Sequence, residues 1–474
     1  MSTLRAAGQL LANANDLDGL AAIAAAAGCA GPPHPLDINA LHALGLEQDD
    51  GIQQARVVAG NGALRALLLE MRDEPPIRDA LIHVAQRLAT RAPHVLWLVI
   101  ALQPAHGDVG IAAWLESRRS PRVAALITNR ARVVESDAET LRTLSAVVAQ
   151  HDVLTHTRWV EVLGRDVLTG RFYRALERAV DTIAGSSAAG DAEARGELAL
   201  LDTSRLLFLA FLEAKGWLHG DRAFLSHCFD RCMASGGRFR ETVLRSLFFG
   251  TLNTPTRQRS AAARAFGRIP FLNGGLFART ALERAHRPIV FSDDAYGALI
   301  YDVFGQFRFT AREESADWSE AAVDPEMLGR AFESLMASRE RRRTGAFFTP
   351  FSLVEQLSSY ALAARLGDWV RSDPTTIPAK RRADFRAALS RLTVLDPACG
   401  SGAFLVHVLE RVTSMHVALG DARDVASIRR DVLTRSIFGV DVNPLAVWLC
   451  GLRLWLSVVI EAPDDDVAGL LPLP

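Results

Sequence analysis

Lysine is nearly absent. Of 53 basic residues only Lys215 and Lys380 are lysine, which with the heavy alanine usage suggests a high-GC bacterial genome and says nothing of mechanism. Excess charge is missing too: 53 basic against 54 acidic residues leave −1. No chain-wide field draws the protein to nucleic acid, and DNA contact would need local patches. Cysteine is sparse. Cys29, Cys228, Cys232, Cys399 and Cys450 show no paired metal-ligand spacing, and their odd number argues against a disulfide framework and for a reducing cytoplasm. No metal site is expected. No run reaches the roughly 18 apolar residues of a membrane span; the closest, 445–460, is broken by Arg453. LAAIAAAAGCA (20–30) imitates a lipoprotein cleavage site, but Asp16 and Asp18 stand where a basic region belongs.

What is present is an ordinary globular composition, 49% hydrophobic and 23% charged over 474 residues, enough for several domains. The periodicities predict a multidomain chain. Residues 1–150 read as a mixed α/β unit. Helical patterns at 60–73 and 77–91 precede a buried strand at 94–102; strands at VGIAAWL, RVAALIT and ARVVES follow, and a helix at 137–150 closes the unit. It reads as a structural or accessory domain, with a degenerate nuclease as the alternative, a poor match because Glu116 is followed by Arg118 where lysine is wanted.

Residues 151–335 read as mainly α-helical, with a surface loop at 184–197 and a strongly apolar helix at 200–218 that stops at Gly216. Glu213 and Lys215 imitate a nuclease pair, but a lysine at a helix C-terminus answers the helix dipole. Cys228 and Cys232 share a helix face beside His227 and read as core. Asn273, Gly274 and Gly275 mark a turn. Asp324 and Pro325 open a helix that Gly345 ends. Its Arg339, Arg341, Arg342 and Arg343 serve either as a solvated cap or as contacts to DNA phosphate.

The chemistry concentrates in residues 336–474. LTVLDPACGSGAFLVHVLE (392–410) is a short strand ending in Asp396, a glycine turn and a helix. Gly400 and Gly402 let the backbone turn sharply and approach a ligand. The helix start at Ala403 favours an anionic group, while Asp396 can hold an ammonium. A P-loop would need a lysine after the turn, where Ala403-Phe404 stands. A dinucleotide fold would want a third glycine and no leading acid. In SIFGVDVNPLAVWLCGLRLWL (436–456), Asp441 ends a second strand. It either accepts ribose hydroxyls or caps the following helix. Upstream, TGAFFTPFSLVEQL (344–357) places Phe347 and Phe348 before Thr349, an N-cap candidate, and Pro350.

In that order, TGAFFTP, LDPACGSGAFL and GVDVNPLAV resemble the first three cofactor motifs of N6-adenine DNA methyltransferases. The nearest likeness is to type IIG restriction–modification enzymes and BREX-type phage-defence methyltransferases. RLLFLAFLEAKGWL, IPFLNGGLF and VDPEMLGRAFESLM resemble the helical region before the methyltransferase core there, so the likeness covers about 150–460. It implies the first part of a Rossmann-like class I α/β sheet and a bound S-adenosylmethionine. By similarity, Phe348, Thr349 and Pro350 flank the methionine part. Asp396, Ala398, Gly400 and Gly402 form the cradle, and Asp441, Val442 and Asn443 hold the ribose and adenine. Double-stranded DNA is the implied partner.

One part of the family pattern is missing. The catalytic Asn-Pro-Pro-aromatic loop, which grips the flipped adenine, has no counterpart; the sole Asn-Pro, Asn443-Pro444, is followed by Leu445. No catalytic residue is therefore assigned. The chain is expected to be an incomplete, inactive front portion whose catalytic half lies in further sequence or a second chain. A non-catalytic DNA-binding or assembly subunit is the alternative, and methylation of protein or small molecules a third reading.

Overall fold

The computed structural model describes residues 3–115, 121–146, 151–272, 275–310, 318–324, 327, 351–371 and 377–460. The chain forms two compact units. The first joins Met1–Ala175 to Tyr301–Phe309 and Glu313–Asp324; the second comprises Leu176–Ile300, Thr310–Arg312 and Pro325–Pro474.

The first unit is built on a seven-stranded sheet: β1 (His34–Pro35), β2 (Ile52–Ala59), β3 (Leu64–Met71), β4 (Leu96–Gln103), β5 (Asp108–Trp114), β6 (Val123–Asn129) and β7 (Trp318–Glu320), in that spatial order. Pairings β3–β4 and β6–β7 are parallel and the others antiparallel. Period-2 alternation divides the sheet's side chains between two cores. Leu68, Leu98, Ile100, Val109 and Ile111 meet Leu11, Leu20, Leu141 and Trp159 on one face. Leu67, Leu69, Val99 and Ala112 meet Ile77, Leu81, Val84 and Leu88 of the helix Ile77–Arg91 on the other.

Two sequence expectations fail here. The stretch 60–73 is not a helix but carries β3, because Leu64–Met71 is buried on both faces and paired on both edges. Leucine, alanine and glutamate favour helix locally, and tertiary pairing overrides that preference. ARVVES forms no strand: after one bridge, Asn129 to Arg132, the chain enters the helix Glu135–Ala146. Glu116 and Arg118 lie outside the described residues.

Strand β7 comes from within the stretch read as helical. Its register, Val123–Trp318 to Ala125–Glu320, is continued by an Ala321 N–H bond to the Ala125 carbonyl at 2.9 Å. An ion pair holds this returning segment in place. Asp137, fully buried, accepts from Thr128 Oγ1 at 2.7 Å, the Val134 N–H at 3.1 Å and Arg308 Nε at 2.9 Å.

The middle of the chain is helical. The helices Arg165–Gly185 and Ala192–Ala214 leave only 186–191 of the expected 184–197 loop, and Asp191 caps the second helix through the Ala194 N–H at 2.7 Å. Lys215 is its C-cap, with Nζ 4.8 Å from the centre of the Trp217 ring, and Glu213 accepts the Leu225 N–H at 2.9 Å. Both are thus structural. Cys228 and Cys232 are buried in the helix Phe224–Ala234, and no metal-ligand cluster exists among the described residues. Gly275 adopts φ +81°, as a turn requires, while Asn273 and Gly274 lie outside the described residues. Among the described residues, no helix is long and apolar enough to cross a membrane.

Removing the cation from the Asp137–Arg308 pair strands a buried carboxylate, so Arg308→Met should destabilise the chain by about 3–5 kcal/mol in urea unfolding. The Asp137→Leu/Arg308→Met double variant should lose distinctly less. Equal losses for the two would contradict the pairing account.

Candidate functional site

Within the second unit, β8 (Val394–Asp396) and β9 (Ile437–Gly439) pair in parallel, with Asp396 beside Gly439. The helices Ala403–Ala418, Val425–Ser436 and Pro444–Ile460 follow from these strands and, with Phe351–Leu366 and Ala379–Leu389, enclose one core. Val394 and Ile437 turn toward that core. Their neighbours Leu395 and Phe438, paired across the ladder, are 62% and 50% exposed. Parallel strands are ordinarily buried on both faces; this ladder has one bare apolar face.

The ladder continues past the strand ends and ties both loops together. The Val440 N–H donates to the Asp396 carbonyl and the Cys399 N–H to the Val440 carbonyl, each at 2.9 Å. The Gly400 N–H then donates to Asp441 Oδ2 at 2.9 Å, and the Asn443 N–H donates to Oδ1 of the same carboxylate at 2.8 Å. The glycine turn and the second acid are thus directly bonded. Asp441 does not cap the following helix. Asn443 does, its Oδ1 accepting the Leu445 N–H at 2.9 Å.

Each glycine has a distinct task. Gly402, the N-cap of the helix Ala403–Ala418, takes φ +88°, and a Cβ there would stand 2.5 Å from Cys450 Sγ. It serves close packing as well as the turn. Gly400 takes φ +52°, but a Cβ there would meet nothing within 4 Å. The space beside Gly400 is open, as a cradle for a ligand requires. Asp396 Oδ1 accepts the Ala398 N–H at 3.1 Å, and Val442 is 99% exposed between Asp441 and Asn443.

The structure therefore brings together Asp396, Ala398, Gly400, Gly402, Asp441, Val442 and Asn443 at the tips of adjacent strands. Phe348, Thr349 and Pro350, with Phe347, Gly345 and the 339–343 arginines, lie outside the described residues.

Three further residues support the corner, of which only Cys399 lies within the glycine motif. Arg453 Nη1 donates to the Ser401 carbonyl at 3.0 Å and to Ser401 Oγ at 3.2 Å, clamping the turn from the helix Pro444–Ile460. Its signal was the single charge in an apolar run. Cys399 and Cys450 fill the space beneath the turn; burial raises the Cys399 thiol and pushes Cys450 up to about 12. Both stay protonated packing groups.

A cavity of about 530 Å³ adjoins the corner, lined by Leu357, Ala361, Leu362, Phe404 and the whole run from Leu392 to Pro397. Because consecutive β8 residues line it, it lies along an edge of that strand. Among the described residues that edge pairs with no strand, since β9 occupies the other.

Residues 323–467 match the model of the N-6 DNA methylase family. Over 297 residues the chain is 25% identical to a Methanocaldococcus jannaschii protein bearing the name of a type II restriction enzyme and methyltransferase. The match covers 56% of this chain and 25% of that protein, so the chain spans about a quarter of its relative's length. Among solved structures, the type IIL restriction–modification enzyme MmeI in complex with DNA aligns with a TM-score of 0.44 at 20% identity, over 64% of this chain and 38% of MmeI. A type I modification subunit from Vibrio vulnificus aligns with a TM-score of 0.33 at 16% identity, over 63% and 56% of the two chains.

Asp441→Asn leaves one of the two backbone N–H groups facing an amide NH₂. Hydrogen exchange at Gly400 and Asn443 should accelerate in the variant, and unchanged exchange at both would contradict the bonding described. Gly402→Ala combines a left-handed backbone with a clash against Cys450, and should lower stability by about 1–2 kcal/mol or more in denaturant unfolding.

Proposed function

We propose, from the N-6 DNA methylase segment of restriction–modification type at residues 323–467, that this chain is the cofactor-binding portion of an adenine-specific DNA methyltransferase. S-adenosylmethionine is the cofactor, double-stranded DNA the substrate, and phage defence or restriction the setting. The first unit then serves as an accessory domain, the helices between 176 and 300 as a helical domain, and 336–474 as the first part of a Rossmann-like sheet.

The observation that carries it is the bond from Gly400 to Asp441, which puts the open side of the glycine turn beside an acid on the neighbouring strand. The cofactor supplies an activated methyl on a sulfonium; the residues bind and orient it. Asp396 suits the ammonium, and the N–H groups opening the helix Ala403–Ala418 suit the carboxylate. Asp441 has one lone-pair direction left on each oxygen for ribose hydroxyls, since each already accepts one N–H. Ala398 belongs to the same cradle. Val442 offers an apolar surface to the adenine, with Asn443 fixing its loop. Phe348, Thr349 and Pro350 complete the methionine end.

Base extraction and methyl transfer fall to groups that this sequence does not contain. The unpaired β8 edge, the cavity along it and the bare Leu395–Phe438 face support a sheet completed by further strands, from additional sequence or a second chain. Covering those two side chains would bury apolar surface at about 25 cal/mol per Å².

Calorimetry with the purified chain should show weak uptake of S-adenosylmethionine that Asp441→Ala abolishes, and tritium-transfer assays should show no methylated adenine. Addition of a segment bearing the Asn-Pro-Pro-aromatic loop should restore transfer. Methylation by the chain alone would overturn the division of labour, and cofactor uptake unaffected by Asp441→Ala would overturn the site.

A further inference from the structure

The helical part of the second unit holds a separate bowl of about 290 Å³, whose lining includes Arg240, Arg245, Arg279, Arg284, Arg287 and Phe249. Its acids are largely engaged. Asp202 accepts from Arg240 Nε at 2.8 Å and from the Tyr296 hydroxyl at 2.7 Å. Glu283 accepts from the fully buried Arg205 at 2.8 Å and from the Thr280 N–H at 2.8 Å. Glu241 lies 3.7 Å from Arg238 Nε.

That leaves Arg245, Arg279, Arg284 and Arg287, all exposed and, among the described residues, without an acidic partner. The Arg279 guanidinium lies over the Phe249 ring, 4.9 Å from its centre, in a cation–π contact. Arg245, Phe248 and Phe249 sit at or beside two consecutive wide helical turns, Phe239–Leu244 and Ser246–Leu252, which re-aim side chains relative to a regular helix.

Four guanidinium groups without an acidic partner among the described residues repel each other around one concavity unless an anion sits among them. Guanidinium forks match phosphate oxygens two at a time. The volume is at the lower limit for small-molecule pockets, about 300 Å³, and its cations stand at the exposed rim. Both features suit one phosphate of an extended polymer better than an enclosed ligand. In a chain of net charge −1, such a local patch is how backbone contact would be made.

We propose that this arginine bowl, whose lining includes none of the cofactor-corner residues, seats backbone phosphate of duplex DNA; the choice of DNA as the phosphate source rests on the function proposed above. The phosphate contacts position the duplex and carry no sequence preference.

The test is fluorescence anisotropy of the full chain with a short labelled duplex across a salt series. Arg245, Arg279, Arg284 and Arg287, all changed to Gln, should weaken binding by about tenfold or more at physiological salt. The slope of log affinity against log salt should flatten by about 0.9 for each phosphate no longer neutralised. The matching Arg→Lys set should recover most of the slope. A control set at Arg5, Arg257, Arg264 and Arg381 should change little, and S-adenosylmethionine uptake should be untouched, separating this site from the other. Equal duplex affinity in wild type and the Gln variant would overturn the inference while leaving the methyltransferase reading intact. Failure of the wild type to bind duplex would sink both. Pyrophosphate binding abolished in the Gln variant while duplex affinity stays unchanged would reassign the bowl to a free anion and overturn the DNA source.

Discussion

The hydrogen bond from the Gly400 amide to the Asp441 carboxylate is the constraint on which the site depends. It forms because two parallel strands end level, Asp396 beside Gly439, and because main-chain bonds from Val440 and Cys399 carry the ladder two residues further. Only a residue without a side chain can take φ +52° at position 400 and leave its flank open. Asp441 then acts twice, accepting backbone donors from both loops while keeping acceptor capacity for a ligand. Gly402, wedged against Cys450, and Arg453, bonded to Ser401, hold the turn from the helix behind it. The rigid corner is thus a product of contacts more than forty residues apart in sequence.

The same pair of strands shows how little of a sheet is needed to define such a corner and how much is needed to bury it. Helices cover one face of β8 and β9. The other presents Leu395 and Phe438, with Val440 and Val442 beyond the strand ends at 56% and 99% exposure. Among the described residues this apolar parallel ladder has a free edge, and such a surface favours association.

Legibility in the sequence followed the range of the interactions. Asp396, Gly400, Gly402 and Asp441 could be placed at strand ends and turns because proline, glycine and helix-start chemistry act within a few residues. β4, β5 and β6 were readable from their apolar runs. β3 was not, since Leu64–Met71 has helix-forming residues and becomes a strand only through partners on both sides. β7 was hidden because three residues carry no periodicity and their partner lies almost two hundred positions away. The clamp by Arg453, the thiols below the turn and the arginine bowl are assembled from distant segments. Their residue types were visible, but their convergence was not.

The central claim is that one ligand is held jointly by both strand tips. Hydrogen exchange of the chain with and without S-adenosylmethionine tests it most directly. The account predicts that amides of 396–403 and 440–443 are protected together on cofactor addition. Protection of only one loop, or protection confined to segments away from both, would contradict it.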